Sequence, residues 1–244
     1  VSAEGEVTQA EIVLALVQSK AKLSYPEVED VFQEKAPHTF TEELSHLQNC
    51  FRALRQRREA CELVIEHRPE HRWIMNDEKQ LTSIERVEKK SSQLLVEECM
   101  VAANRAIANA LKEAQRPGPF VTHAGIRRDR AEEAQEFLKR YQPDLEGLEF
   151  STLEGFRTLI TALNASSDER PLRSMVNRLM ARASLSIKPA PHMGMALSLY
   201  TNGTSPLRKA LDYCVHLQLK AMLGDTSVEP ASATVFDLLN QASA

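Results

Sequence analysis

Apolar residues recur with helical spacing along most of the chain. Between residues 41 and 60 the apolar stripe contains Leu44, Leu47, Phe51 and Leu54, and a longer stripe runs through residues 91–114. Positions three and four apart lie on one face of an α-helix, so both segments are predicted to be amphipathic helices. Shorter segments with similar patterns predict helices at residues 26–34, 129–140, 152–163, 171–182 and 205–223.

Two other parts of the chain alternate apolar and polar residues or are rich in β-branched ones. The stretch AEIVLALVQSKAKLSY, residues 10–25, predicts a strand, and the pieces LVIEH, RWIMN and LTSIERV within residues 62–87 predict a small meander. From Gly224 onward the chain is weakly patterned and rich in Ser and Ala, which is typical of a tail. The sequence therefore predicts an α+β fold with a mixed sheet and a helix-rich C-terminal half.

The last predicted helix has an unusual start. In the stretch NGTSPLRKALDYCVH, residues 202–216, Ser205 is expected to cap the helix and Pro206 to occupy its first position. Arg208 and Lys209 then fall in the first turn, where the positive end of the helix dipole disfavours cations. Two explanations stay open. Either a bound phosphate compensates the charge, or both side chains reach solvent or a carboxylate elsewhere.

The composition is that of an ordinary soluble globular protein, with 43% hydrophobic and 26% charged residues among 244. The net charge of −4 gives no basic surface over the whole protein, so nucleic-acid binding requires a local patch. The longest apolar run, residues 12–17, is too short to span a membrane. The four cysteines form no C-x-x-C pair, and we expect reduced thiols in a cytoplasmic protein.

The sequence shows no spacing typical of a metal site. His67 and His71 are four apart, but Pro69 lies between them and no third ligand is evident. The aspartates are scattered without a D-x-D or D-D pair, whereas phosphodiester hydrolysis by a divalent ion needs clustered carboxylates. We therefore expect no metal ligands in this chain.

The charges are unevenly distributed. From Arg170 through Leu211 the chain contains no Asp or Glu, although it is acidic overall. The cations of this acid-free run are Arg170, Arg173, Arg178, Arg182, Lys188, Arg208 and Lys209. Such a run predicts a surface that faces an anionic partner, for example a phosphate backbone.

Two pairs of polar residues have more than one interpretation. Glu97 and Asn104 are seven apart on one predicted helix, so they share a face that is either solvated or able to bind a hydroxyl or a base edge. Asp212 and His216 are one helical turn apart and form either an acid/base pair or a structural hydrogen bond. The sequence leaves these alternatives open.

Four segments resemble motifs of the ribonuclease II family. TSPLRKALDYCVH, residues 204–216, resembles the signature T-S-P-[IL]-R-[RK]-Y-x-D-x-x-x-H. Three further segments resemble family motifs and follow one another in the family's order. Along the chain they are VQSKAKLSYPEVEDVF, LVEECMVAANRAIANAL and PAPHMGMALSLY. The resemblance implies that residues 1–224 are the C-terminal portion of a catalytic domain of this family and that residues 225–244 are a tail.

The resemblance implies a processive 3′→5′ exoribonuclease that releases 5′-mononucleotides from single-stranded RNA with Mg²⁺. The family's metal-binding carboxylates are expected before Val1, so the chain is expected to be inactive by itself. The alternative is a non-catalytic RNA- or protein-binding module on the same fold. Single-stranded RNA is the expected partner, and apolar surface that a missing half would cover is expected to cause self-association.

Motif matching gives Arg208 a catalytic role, because it would contact the scissile phosphate and stabilise charge in the transition state. Tyr25 matches a tyrosine that stacks on the 3′-terminal base, and Glu97 matches a glutamate that hydrogen-bonds near the terminal nucleotide. Further RNA contacts are expected from signature hydroxyls and from cations of the acid-free run. These residues are Thr204, Ser205, Lys209, Arg182 and Lys188.

Several positions depart from the family pattern. Gly203 stands where the signature has an aromatic residue, Ala210 where it has tyrosine, and Leu217 where the family usually has arginine. Ile65 occupies the place of a phenylalanine that sandwiches the terminal base, and losing such a partner costs about 1–3 kcal/mol per stacked base. The departures leave open a divergent nuclease or a relative that binds RNA and no longer cuts it.

Overall fold

The computed structural model describes residues 1–63, 70–166 and 171–243. Within these ranges the chain forms eight α-helices, four short strands and three short 3₁₀-helices. The helices are α1 (Tyr25–Phe32), α2 (Thr41–Cys61), α3 (Ser91–Glu113), α4 (Ala131–Tyr141), α5 (Leu153–Ala165), α6 (Leu172–Asn177), α7 (Ala210–Met222) and α8 (Ala233–Ser243). The strands are β1 (Glu70–Met75), β2 (Leu81–Val87), β3 (Phe120–Thr122) and β4 (Ser184–Ser186).

The described strands form two separate antiparallel pairs, β1 with β2 and β3 with β4. In the first pair Trp73 lies opposite Ile84, and the strands match the predicted pieces RWIMN and LTSIERV. The third predicted piece, LVIEH, lies outside the described residues except for Leu63. The α+β class is confirmed, with helices in the majority.

Local sequence explains why α1 begins where it does. The Ser24 hydroxyl accepts from the Glu27 N–H at 3.4 Å, and the Glu27 carboxylate accepts from the Ser24 N–H at 2.6 Å. This capping box satisfies two donors that the helix leaves unpaired. On the same helix the Glu29 carboxylate accepts from the Ser92 N–H at 3.0 Å, which fixes α1 against the start of α3.

The apolar core has two main parts. One is formed by α4, α5 and α6 around Phe156, Leu159 and Val176. The other lies between α3, α7 and β3 and contains Leu111 and Val215, both with no exposed surface. The second part supports the loop that carries the signature residues.

A buried ion network joins α2 to α3. Arg58 donates from one guanidinium nitrogen to both carboxylate oxygens of Glu98, at 2.8 Å each. Arg55 contacts the same carboxylate at 3.2 Å, and Arg105 donates to Glu62 at 2.6 Å. Because Arg58 and Glu98 are both buried, removing either partner leaves the other with a longer contact only, Arg58 with Glu62 at 3.6 Å or Glu98 with Arg55 at 3.2 Å.

The predicted strand at residues 10–25 is wrong. Residues 6–24 contain no helix or strand, and among the described residues the backbone of residues 7–23 makes no backbone–backbone hydrogen bond. A strand forms only where a second strand accepts its N–H groups, and no described segment does so here. Leu16 and Val17 are consequently exposed.

The helix predicted over residues 171–182 is shorter than expected. α6 ends at Asn177, and the chain that follows pairs with residues 125–127 instead. The Arg127 N–H donates to the Leu179 carbonyl at 2.9 Å, and the Ala181 N–H donates to the Gly125 carbonyl at 2.8 Å. These long-range bonds replace the last helical turns.

The segment predicted as a weakly patterned tail contains α8. Phe236 is buried in a cluster with Cys214 and Ala231, and Leu217 packs against the same cluster. The Gln218 side chain donates to the Ala231 carbonyl at 2.8 Å, which fixes the approach to the helix. Residues of α7 therefore hold α8 in place. They lie outside the tail, so the sequence pattern of the tail alone does not show them.

Candidate nucleic-acid interface

Residues 201–209 form a loop, named here the signature loop, between Tyr200 and α7. The helix begins at Ala210, so the prediction that Ser205 caps it and that Arg208 and Lys209 fill its first turn is wrong. The N–H groups of Arg208 and Lys209 instead donate to the Ser205 carbonyl, at 3.2 and 3.1 Å. Lys209 has an extended backbone, which stops the helix from starting earlier.

Two side chains of α7 hold the signature loop. An oxygen of the Asp212 carboxylate accepts from the Ser205 N–H at 2.8 Å, and His216 Nε2 lies 2.7 Å from the Gly203 carbonyl oxygen. Among the described residues, the structure shows neither an acid/base pair nor a hydrogen bond between Asp212 and His216. Each residue binds the backbone of the loop.

Asn104 holds the loop from the opposite side. Its side-chain oxygen accepts from the Gly203 N–H at 2.9 Å, and its amide donates to the Tyr200 hydroxyl at 3.0 Å. Asn104 is 3% exposed, so the interpretation of a solvated face shared with Glu97 is wrong for this residue. Glu97 lies elsewhere on α3 and forms an ion pair with Lys89 at 3.0 Å.

The packing around position 203 explains why a glycine occupies it. A Cβ built on Gly203 lies 2.9 Å from Ile107 Cδ1 and 3.3 Å from Val215 Cγ1, and both peptide groups of the residue are already bonded to side chains. The signature's aromatic residue does not fit this site without displacing the side chains of Ile107 and Val215. The replacement of the signature's aromatic residue by Gly203 is therefore explained by how the loop packs.

The tip of the signature loop is left exposed by this anchoring. Arg208 and Lys209 are both exposed, and within the described ranges neither forms a salt bridge with a carboxylate. Thr204 and Ser205 are half-buried, and Arg208 Nη2 lies 3.4 Å from the Ser205 hydroxyl. Of the explanations for these cations, solvent exposure and a bound anion remain.

The other predicted site residues lie on several elements. Arg182 and Lys209 line one cavity, and Lys188 is exposed beyond the end of β4. Tyr25 is the first residue of α1 and is 46% exposed, whereas Glu97 lies on α3. Ile65 and Arg170 fall outside the described residues.

A pair of half-buried histidine rings beside the buried Tyr200 was not predicted from the sequence. The rings of His123 and His192 are 5.5 Å apart, and His192 meets Tyr200 edge-on at 5.8 Å. Burial lowers the pKa of His192 to about 4, and the charge of nearby His123 adds to the decrease. Both imidazoles are therefore neutral at physiological pH, and they serve as packing for Tyr200. The lone histidines gave no periodic signal in the sequence.

The described carboxylates do not fit a magnesium site. Nowhere in residues 1–63, 70–166 or 171–243 do three or more His, Cys, Asp or Glu side chains cluster so that they could hold a metal ion. Over the same ranges, every helix is too short or too polar to cross a membrane.

Residues 1–225 match the RNB domain family, so the chain belongs to that family. Its curated relatives include Exoribonuclease 2 of Yersinia pseudotuberculosis serotype IB, which is 32% identical over 220 residues, or 88% of this chain and 34% of that protein. Exoribonuclease 2 of Baumannia cicadellinicola is 30% identical over the same shares of the two chains. The chain thus spans about a third of the length of these relatives.

Solved structures of similar fold include RNase R of Mycoplasma genitalium in complex with ribose-methylated single-stranded RNA. It is 17% identical, with a TM-score of 0.68 over 89% of this chain and 34% of that one. Yeast Ssd1, a pseudonuclease, is 18% identical with a TM-score of 0.58 over 90% of this chain and 27% of that one. At these identities the likeness supports the fold.

Proposed function

We propose that this chain is the RNA-binding portion of a hydrolytic 3′→5′ exoribonuclease that releases 5′-mononucleotides from single-stranded RNA. The observation that carries the proposal is the construction of the signature loop. Asn104, Asp212 and His216 hold its backbone, while Arg208 and Lys209 stay exposed and without carboxylate partners among the described residues. A rigid loop with exposed cations binds phosphate at little cost in ordering.

Arg208 is the proposed catalytic residue. Its guanidinium can donate two parallel hydrogen bonds to a phosphate and neutralise the charge that develops on the phosphoryl oxygens. Thr204 and Ser205 are accessible donors on the same loop, and Lys209 adds a second positive charge. These groups bind and orient the scissile phosphate.

The remaining proposed RNA contacts lie on several elements. Arg182 lines the same cavity as Lys209, and Lys188 lies on the exposed chain after β4. Tyr25, with about half of its surface exposed, is available to stack on a base, and Glu97 is proposed to accept from the terminal nucleotide.

The proposal assigns the metal-dependent step to residues outside this chain. Mg²⁺ would lower the pKa of a bound water and polarise the phosphate, but it needs several oxygen ligands that the described carboxylates do not assemble. We propose that the ligands lie outside this chain, in a cytoplasmic enzyme. The isolated chain is then expected to bind RNA without cleaving it.

A second candidate is a non-catalytic RNA-binding module. The observation that favours it is Ala210, which is exposed at the start of α7 where the signature has tyrosine. A methyl group at this position cannot supply the hydroxyl or the ring of that tyrosine. Under this alternative the loop still binds phosphate, and the whole protein does not hydrolyse RNA.

Labelled single-stranded RNA titrated into the purified chain at several salt concentrations tests the proposal. Arg208→Ala should raise Kd about tenfold and lower the salt slope by about one unit. Arg128→Ala is the matched control, since Arg128 is an exposed arginine beside the acidic first turn of α4. Equal affinities of the two variants would refute the role of Arg208.

The same tubes with Mg²⁺ separate the remaining possibilities. Binding without mononucleotide release agrees with an RNA-binding portion, whereas release would show that this chain contains its own metal site. Activity of the longest natural protein that contains this chain distinguishes the nuclease from the non-catalytic module.

Self-association is a separate expectation. Val13, Leu14, Leu16 and Val17 are between 57 and 103% exposed on a segment without backbone partners among the described residues. Exposed apolar residues in one short segment favour association. Analytical ultracentrifugation should show a dimer or larger species that Leu16→Lys weakens, and a monomer at all concentrations would contradict the expectation.

A further inference from the structure

A cavity of about 730 Å³ lies beside the signature loop, between the β3–β4 pair, the start of α7 and the end of α8. Its volume is in the range of small-molecule sites. The walls are mainly apolar, and the residues that supply them are Val121, Ala183, Leu185, Ala210, Leu211 and Leu239. Apolar walls of this kind fit the flat face of a nucleobase.

The room in the cavity depends on a small residue at position 210. Ala210 lines the cavity at the first position of α7, where the family signature has tyrosine. A phenol ring at this position would extend into the space that the methyl group leaves. Ala210 therefore leaves room in the cavity at the start of α7.

The polar groups of the cavity are few and chemically distinct. Arg182 and Lys209 supply positive charge, and Asn202 offers both a donor and an acceptor. Asp212 is 1% exposed, and one of its carboxylate oxygens has no hydrogen-bond partner in the described structure. An unpaired acceptor accepts the N–H of a base amino group or the O–H of a ribose.

The third wall comes from a helix beyond the family match. The match ends at residue 225, and Leu239 and Gln241 of α8 complete the cavity. The Gln218–Ala231 bond and the cluster around Phe236 hold α8 against α7. α8 is thus held in place at the side of a partly open cavity.

We propose that this cavity binds a 5′-mononucleotide, with the phosphate on Lys209 and Arg182 and the base between the apolar walls. The choice of a mononucleotide among phosphate esters rests on the proposed function, because a mononucleotide is the product that such a nuclease releases. The base edge is placed near Asn202 and Asp212, where its donors find acceptors.

Calorimetric titration of the full chain with AMP, adenosine and inorganic phosphate tests the proposal. AMP should bind saturably. Adenosine and inorganic phosphate should each bind at least about tenfold more weakly than AMP, because each lacks half of the recognised groups. Ala210→Tyr, which fills the cavity, and Lys209→Ala, which removes a phosphate contact, should each weaken AMP binding about tenfold. The controls are Leu238→Ala on the outer face of α8 and Lys139→Ala on α4, both exposed.

Absence of saturable AMP binding to the wild-type chain would overturn the proposal, as would unchanged AMP binding in Ala210→Tyr with a native melting curve. Phosphate binding as tightly as AMP would overturn it too, because the site would then recognise an anion only. Arg208→Ala separates this proposal from the proposed function. If AMP binds but RNA binding does not depend on Arg208, the proposed RNA-binding role is refuted and the cavity site is retained. If RNA binding depends on Arg208 but AMP does not bind, the cavity site is refuted and the RNA-binding role is retained.

Discussion

Replacing Asn104 with alanine should both destabilise the fold and loosen the signature loop. The change removes the acceptor of the buried Gly203 N–H, at 2.9 Å, and the donor to the Tyr200 hydroxyl, at 3.0 Å. A buried polar group left without a partner costs about 1–3 kcal/mol. Two such groups, the Gly203 N–H and the Tyr200 hydroxyl oxygen that loses its donor, give a loss of about 2–5 kcal/mol in the free energy of unfolding.

Urea denaturation of Asn104→Ala measures this loss, and RNA titration measures the effect on the loop. Because Arg208 is then no longer held in one position, Kd should rise by up to about tenfold, in addition to the loss of stability. Asn109→Ala is the matched control, since Asn109 is exposed on the same helix. If both variants stay within about 0.5 kcal/mol of the wild type, Asn104 does not anchor the loop and the reasoning is refuted.

Three further predictions concern stability. Glu98→Ala should lower the free energy of unfolding by about 3–5 kcal/mol, because the buried Arg58 loses both bonds of 2.8 Å; a urea midpoint equal to that of the wild type would contradict this. Gly203→Ala should cost about 1 kcal/mol, because its Cβ approaches Ile107 Cδ1 to 2.9 Å and that side chain must shift; a thermal melt that does not change would show that Ile107 moves aside freely. His192 has a folded pKa of about 4, below its usual 6.5, so the fold favours the neutral ring. Its contribution to stability is complete above pH 6.5 and is lost as the pH falls towards 4, and a His192→Phe variant should show a flatter decline of stability over this range.

The helical elements could be predicted because their signals are local. The apolar stripe of residues 91–114 predicted α3, and the shorter pattern of residues 26–34 predicted a helix where α1 forms. The family motifs and the acid-free run were also readable directly, and the match to the RNB domain confirms the family. The individual roles of Arg208 and Tyr25 stay predictions.

The errors arose where distant residues decide the local structure. Residues 10–25 have the composition of a strand, but a strand needs a partner, and no described segment pairs with them. The helix expected at Ser205 starts later because the backbone of Lys209 is extended. α8 forms on an apolar cluster that α7 supplies, which the weak pattern of the tail did not indicate.

The sequence by itself determined the class of fold, most helices, the family and the position of the cations, since each follows from residue types and short spacings. The tertiary structure alone decided what anchors those cations. Asn104 and Gly203 are 99 residues apart, and only folding brings an amide oxygen to that buried N–H. It also decided that Ala210 and the end of α8 line one cavity, because a cavity depends on which distant side chains meet and how much space they leave.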